Sequence, residues 1–189
     1  MQLSATKVIS PIDEDVLLNL KAGERVLISG TIYTARDAAH KRMSEALQKG
    51  QGLPIDINGQ TIYYVGPTPA KPGQVIGSAG PTTSGRMDKY TPSLLDRGLK
   101  GMIGKGYRNQ EVIDSMKQNK AVYFAAIGGS GALIARSIKA MEVIAYEDLG
   151  PEAIHKLTVE NFPAVVIIDS EGSDWYQLGK QQFNEQENQ

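Results

Sequence analysis

Two cations in this chain stand among glycines and small hydroxyl residues, the setting of an anion-binding loop, and a third opens an expected helix. The first stretch is Gly77-Ser-Ala-Gly80-Pro-Thr82-Thr83-Ser84-Gly85-Arg86. Its glycines let backbone N–H groups approach a ligand, its hydroxyls donate and accept, and Arg86 adds a planar donor fork suited to carboxylate or phosphate. The second is Gly104-Lys105-Gly106, where the backbone can bend around one ammonium. The third is Arg36, in the first turn of an expected helix, with Asp37 beside it. A cation there opposes the helix dipole, and local misfits of this kind are where function is worth seeking. His40 follows one turn later, able to orient a carboxylate, carry a proton or serve as a structural hydrogen-bonder. Each feature also has an ordinary reading: a tight surface turn, a solvated lysine, a surface salt-bridge arginine.

Taken together, Arg36, Arg86 and Lys105 fall at the strand-to-loop edge of an α/β sheet, where open sheets bind ligands. Three cations there fit a small dianion such as a dicarboxylate. Thr82 or its neighbour Thr83 is then the proton-transfer group at hand. A free threonine hydroxyl is a very weak acid, so it needs activation by its surroundings.

The elements that must hold these residues are legible in outline. An acidic-started helical turn is expected over 11–20, then a β-branched strand over 25–33. Thr34 reads as the N-cap of a helix over 35–49 that Gly50 stops. Residues 55–64 alternate around Asn58-Gly59 and predict a hairpin. Pro92 opens a short helix, a strand covers 99–103, and Asn109 caps a helix over 109–119 with Val112, Ile113 and Met116 on its apolar face. The apolar runs 121–127 and 164–168 predict central strands covered on both sides, with a further strand over 140–146. A terminal helix is expected over 176–183, with the tail 181–189 frayed. Gly128-Gly-Ser-Gly131 lacks the third glycine of a dinucleotide loop and reads as close packing or a substrate-side wall. Strand–helix alternation after a β-rich front half predicts one α/β domain, residues 1–189, with a mixed sheet.

Composition narrows the function further. The chain has 189 residues, 20 Lys+Arg against 21 Asp+Glu, two His and no Cys. A net charge of -1 gives no general field for nucleic acid or anionic lipid. Zero Cys excludes a disulfide scaffold, a cysteine nucleophile and thiolate ligation of a metal or cluster by this chain. No run approaches a membrane span and no apolar leader is present, so a cytoplasmic protein is expected. His155 has no evident partner, and no Ser-His-Asp order is present.

The residues resemble a known family. Ile28-Ser-Gly-Thr-Ile-Tyr-Thr-Ala-Arg-Asp-Ala-Ala-His-Lys-Arg42 and Gly80-Pro-Thr-Thr-Ser-Gly-Arg-Met-Asp88 look like motifs of the β region of iron–sulfur (class I) fumarases. Gly104-Lys-Gly106, Ile127-Gly-Gly-Ser-Gly-Ala132, Ile138-Lys139 with Glu142, Glu152-Ala-Ile154 and Phe162-Pro-Ala164 continue the likeness in order. The resemblance spans roughly residues 5–178, and the nine-residue central motif is its most specific part.

That resemblance implies a swivelling β/β/α domain. It implies reversible hydration of fumarate to L-malate at a [4Fe-4S] cluster held by three cysteines of a partner α subunit, whose open iron acts as a Lewis acid. Carried over by motif, Arg36, Arg86 and Lys105 grip the substrate carboxylates and Thr82 is the base for the C3 proton of malate. Thr83, Asp37, His40 and Gly104 stand beside them as supporting residues. No metal ligand falls on this chain. The same β fold serves L-tartrate dehydratase, the first alternative; a non-catalytic swivelling domain that only binds a partner is the second. A β homodimer and an α2β2 assembly are the arrangements left open.

Overall fold

The computed structural model describes residues 4–127 and 131–187. The glycine-rich stretch 128–130 and the last two residues, for which close packing and fraying are expected, lie outside them.

Seven strands form one mixed sheet: β1 (Thr6–Ser10), β2 (Arg25–Thr34), β3 (Thr61–Tyr63), β4 (Gly101–Gly104), β5 (Val122–Ala126), β6 (Ile138–Ala145) and β7 (Ile154–Ile168). β1 through β5 pair in parallel, each with the next. β7 runs antiparallel and pairs with both β5 and β2, which closes β2, β3, β4, β5 and β7 into a ring. β1 and β6 extend the sheet outside that ring. The helices are α1 (Glu14–Asn19), α2 (Asp37–Gln48), α3 (Thr91–Leu95), α4 (Gln110–Asn119), α5 (Gly131–Ser137) and α6 (Trp175–Glu187).

The two-residue period of the strands sorts their side chains into two cores. Val26, Ile28, Tyr63, Ile103, Phe124 and Val166 come from all five ring strands and fill its interior, closed by Leu17 of α1 and Ile134 of α5. Ile62, Met102 and Tyr123 face the other way, against Met43 of α2, Leu95 of α3 and Met116 of α4. This double covering explains the continuous apolar runs of β5 and the second half of β7.

β7 keeps one face inward along its length by a bulge. Gly30 pairs with Val159 and Ile28 with Phe162, so β7 has two residues opposite one of β2. Asn161 takes φ 52° there, which asparagine tolerates, and its N–H donates to Ser29 Oγ at 2.9 Å. The extra residue moves the buried positions from Leu157 and Val159 to Phe162, Ala164 and Val166.

Two sequence expectations are corrected. Residues 55–64 are not a hairpin: β3 starts at Thr61, and both its edges are taken by β2 and β4 in parallel. The turn at Asn58-Gly59 instead brings the chain onto residue 98, where Gly59 N donates to Gly98 O at 2.8 Å. Thr34 is not the cap of α2: its pairing with Tyr63 keeps it in β2, and Arg36 is the N-cap. β1 is a strand the sequence reading did not assign, and β7 begins ten residues earlier than the expected start at 164. The terminal helix runs to Glu187 and takes in most of the tail.

Candidate active site

β2, β3 and β4 lie side by side and end at one edge. Past their carboxyl ends come Arg36, the stretch Tyr64–Gly66, and Lys105. The small-residue loop returns between them. Thr82 N donates to Tyr64 O at 2.7 Å, Lys105 N donates to Thr82 O at 3.3 Å, and Ser84 N donates to Lys105 O at 2.8 Å. Residues 82–84 thus continue the sheet as a short strand, bridged in parallel between Thr83 and Lys105. Thr82 is buried, while Thr83 and Lys105 are exposed. Gly104 has a packing reason: a Cβ there would run into Ser84 Oγ and the Tyr64 ring. The Tyr63 hydroxyl, buried within the ring, donates to Ala79 O and holds the start of the loop.

The two arginines meet at the amino end of α2. Arg36 Nε lies 3.2 Å from Glu152 Oε1, and the same oxygen accepts from Ala38 N at 3.1 Å. Glu152 belongs to the 3₁₀ segment Glu147–Glu152 and supplies the cap that Arg36 lacks. One acid therefore satisfies the helix start and offsets the misplaced cation. The Arg36 guanidinium packs on Gly66, where a Cβ would come within 2.7 Å of it. Arg86 Nε and Nη2 donate to the two oxygens of Asp37 at 2.9 and 2.6 Å. Asp37 is the first residue of α2, where a carboxylate suits the dipole. Lys105 has no ion-pair partner among the described residues. Three cations and two acids thus surround the edge that Thr82 occupies, a surplus of positive charge.

His40 does not face this edge. It is fully buried, with Nδ1 3.0 Å from the Arg36 carbonyl oxygen, to which it donates as the neutral ring. Its ring packs edge-on against Tyr64 with centroids 5.3 Å apart, and Nε2 has no partner. Burial lowers its pKa from 6.5 to about 4, so it is a hydrogen-bonder that fixes the turn carrying Arg36 rather than a proton carrier. The unfolded chain takes up this proton near pH 6.5 and the folded chain only near 4. Stability is therefore fully present above pH 6.5 and falls as pH drops through that window. Between pH 7.5 and 5 the loss from His40 is expected to be about 2 kcal/mol, read from urea midpoints. His40→Gln should flatten most of that slope. His155, also lowered by burial, leaves a residue of the same sign. An unchanged slope in His40→Gln would contradict this assignment.

The structure thus brings Arg36, Asp37, Thr82, Thr83, Arg86, Gly104 and Lys105 to one edge and sets His40 behind it. Sequence reasoning gave no role to Glu152, Asp88 or Arg108. Glu152 and Asp88 stand inside quoted motifs, but Arg108 had no signal, since a buried arginine reads like any other in sequence.

A five-strand ring whose parallel strands end in cation-bearing loops defines the chain as an α/β domain. The family follows from comparison. The family model described as Fumarase C-terminus matches residues 3–179, and the chain belongs to that family. It is 43% identical over 155 residues to "Fumarate hydratase class I, aerobic" of Escherichia coli (strain K12), covering 81% of this chain and 28% of that protein. It is 39% identical over 170 residues to "Fumarate hydratase 2" of Leishmania major, covering 88% of this chain and 30% of that protein. With "Putative L(+)-tartrate dehydratase subunit beta" of Methanocaldococcus jannaschii it shares 38% identity over 164 residues, 84% of each chain. The chain spans about 30% of the length of the fumarate hydratases it matches. Among the described residues no helix is long and apolar enough to cross a membrane.

Proposed function

We propose that this chain is the β part of an iron–sulfur hydro-lyase that reversibly hydrates fumarate to L-malate. The observation that carries the reading is that Arg36 and Lys105 follow neighbouring strand ends, with the loop bearing Thr82 and Arg86 hydrogen-bonded beside them. The cations hold the two substrate carboxylates by charge-assisted hydrogen bonds. In the malate-to-fumarate direction Thr82, acting as its alkoxide, takes the C3 proton, and the C2 hydroxyl departs as water with a proton from an acid on the partner subunit. In the reverse direction Thr82 returns the proton to C3. Proton removal spreads negative charge onto the adjoining carboxylate, and preorganised cations there stabilise it as it develops.

The cluster does not fit this chain. The chain has no cysteine, and the described residues gather no trio of His, Asp or Glu able to hold a metal ion. The [4Fe-4S] cluster is assigned to an α subunit with three cysteines, and nothing in the steps above passes through it. Cytoplasmic location and a heteromeric assembly belong to the same proposal.

A second reading, L-tartrate dehydratase β subunit, is favoured by one observation: the relative matched over 84% of both chains has that name. Anaerobic assay of the complex with fumarate, L-malate and both tartrate isomers separates the readings. Turnover of fumarate and malate alone is expected. Turnover of a tartrate alone would replace the first reading with the second. A stable complex inactive on all four would support a domain that only binds its partner.

A further inference from the structure

The loops bearing Arg86 and Lys105 are joined beneath the site by a buried ion pair with no part in the steps above. The Arg108 side chain is wholly buried, and Asp88 is 9% exposed. Arg108 Nε donates to Asp88 Oδ1 at 2.7 Å, Nη2 to Thr91 Oγ1 at 2.8 Å, and Nη1 to the Tyr64 hydroxyl at 3.3 Å. The second Asp88 oxygen accepts from Asn109 N at 2.8 Å. The guanidinium lies 5.3 Å from the Tyr64 ring centre and 5.1 Å from that of Tyr123. The Tyr123 hydroxyl reaches both Ser84 Oγ and Gly106 O, each at 2.9 Å.

Asp88 and Thr91 on one segment meet Arg108 and Asn109 on the other, and Tyr123 bridges both. Asp88 closes the 3₁₀ turn Ser84–Met87, which contains Arg86. Arg108 and Asn109 follow Lys105 within one short loop. A buried ion pair is weak evidence for stability, because desolvation consumes most of the attraction and an apolar pair can fill the same space. What a rigid guanidinium adds is direction, since its fork fixes several acceptors in one plane.

We propose that Asp88 and Arg108 are a positioning pair that sets Arg86 and Thr82 at a fixed distance and angle from Lys105. The proposal rests on the dicarboxylate reading of the site. The test is Arg108→Lys in the full complex, assayed with fumarate. Lysine keeps a buried charge for Asp88 but cannot meet Asp88, Thr91 and Tyr64 together. The expected result is a fall in kcat/KM of about ten- to a hundredfold, with KM raised, because displacing a binding group by about 1 Å costs rate on that scale. Asp88→Asn removes the charge and one acceptor at constant volume and should give the same pattern. Arg86→Lys combined with Arg108→Lys should lose less than the two single losses added together, since part of the effect of the pair runs through Arg86. Wild-type kinetic constants in folded Arg108→Lys, or fully additive losses in the double variant, would overturn the proposal.

A readout independent of turnover separates this proposal from the reading beneath it. Amide exchange in Arg108→Lys should quicken over 82–88 and 104–109 together, with α2 keeping wild-type protection. Wild-type exchange in either segment would overturn the positioning role. A wild-type complex inactive on fumarate would instead remove the reading of the site.

Discussion

Thr82→Ala is expected to lower kcat by about 10²- to 10⁴-fold, the range a positioned proton-transfer group supplies, with only a modest change in KM. The substitution isolates the hydroxyl. Residues 82–84 are held by backbone hydrogen bonds to Tyr64 on one side and Lys105 on the other, and none of these involves the side chain. The variant should therefore keep its fold, which thermal unfolding checks. Thr82→Ser restores a hydroxyl at the same place and should recover most of the lost rate. Near-normal turnover in Thr82→Ala would move the role to Thr83 or to water.

Arg86→Lys should cost about 2–3 kcal/mol of transition-state binding, the worth of a charge-assisted hydrogen bond, or about 30- to 150-fold in kcat/KM. The physical reason is the fork. Arg86 uses Nε and Nη2 on Asp37, which aims the guanidinium and leaves its Nη1 edge for the proposed substrate carboxylate. An ammonium cannot grip Asp37 in two places and still present a directed donor. The folded state should hardly register the change. The Arg86 side chain is 56% exposed, and pairs of that kind contribute about 0–1 kcal/mol to stability. A large kinetic loss with an unchanged melting temperature is the expected signature. A large loss of stability with intact kinetics would make the Asp37–Arg86 pair structural.

Much of the candidate site is legible in the sequence because its residues announce themselves by type. Arg86 and Lys105 stand among glycines, and Thr82 within a run of small residues. What the sequence could not supply was how acids far along the chain meet these cations. Glu152 reaches Arg36 across 116 positions, and that meeting depends on where β7 enters the sheet. The expected hairpin at 55–64 failed for a related reason. Asn58-Gly59 is a turn, as its local chemistry predicts, but strand pairing is decided by β2 and β4, which claim both edges of β3. Ring closure was likewise invisible, because it rests on β7 pairing with both β5 and β2. The Asn109 cap of α4 needed no such distant partner, and there the expectation and the structure agree, with Asn109 Oδ1 accepting from Val112 N at 2.9 Å.

A chain proposed to grip and deprotonate a substrate at a cluster held by another polypeptide should depend on that polypeptide for activity. Fumarate hydration by the purified chain, alone and after anaerobic reconstitution with a cluster-loaded α subunit, measures this. The expected result is no activity from the chain alone, activity on mixing, and a loss of about 10²- to 10⁴-fold when the mixed chain is Thr82→Ala. Hydration of fumarate by the chain alone in the absence of iron would contradict it.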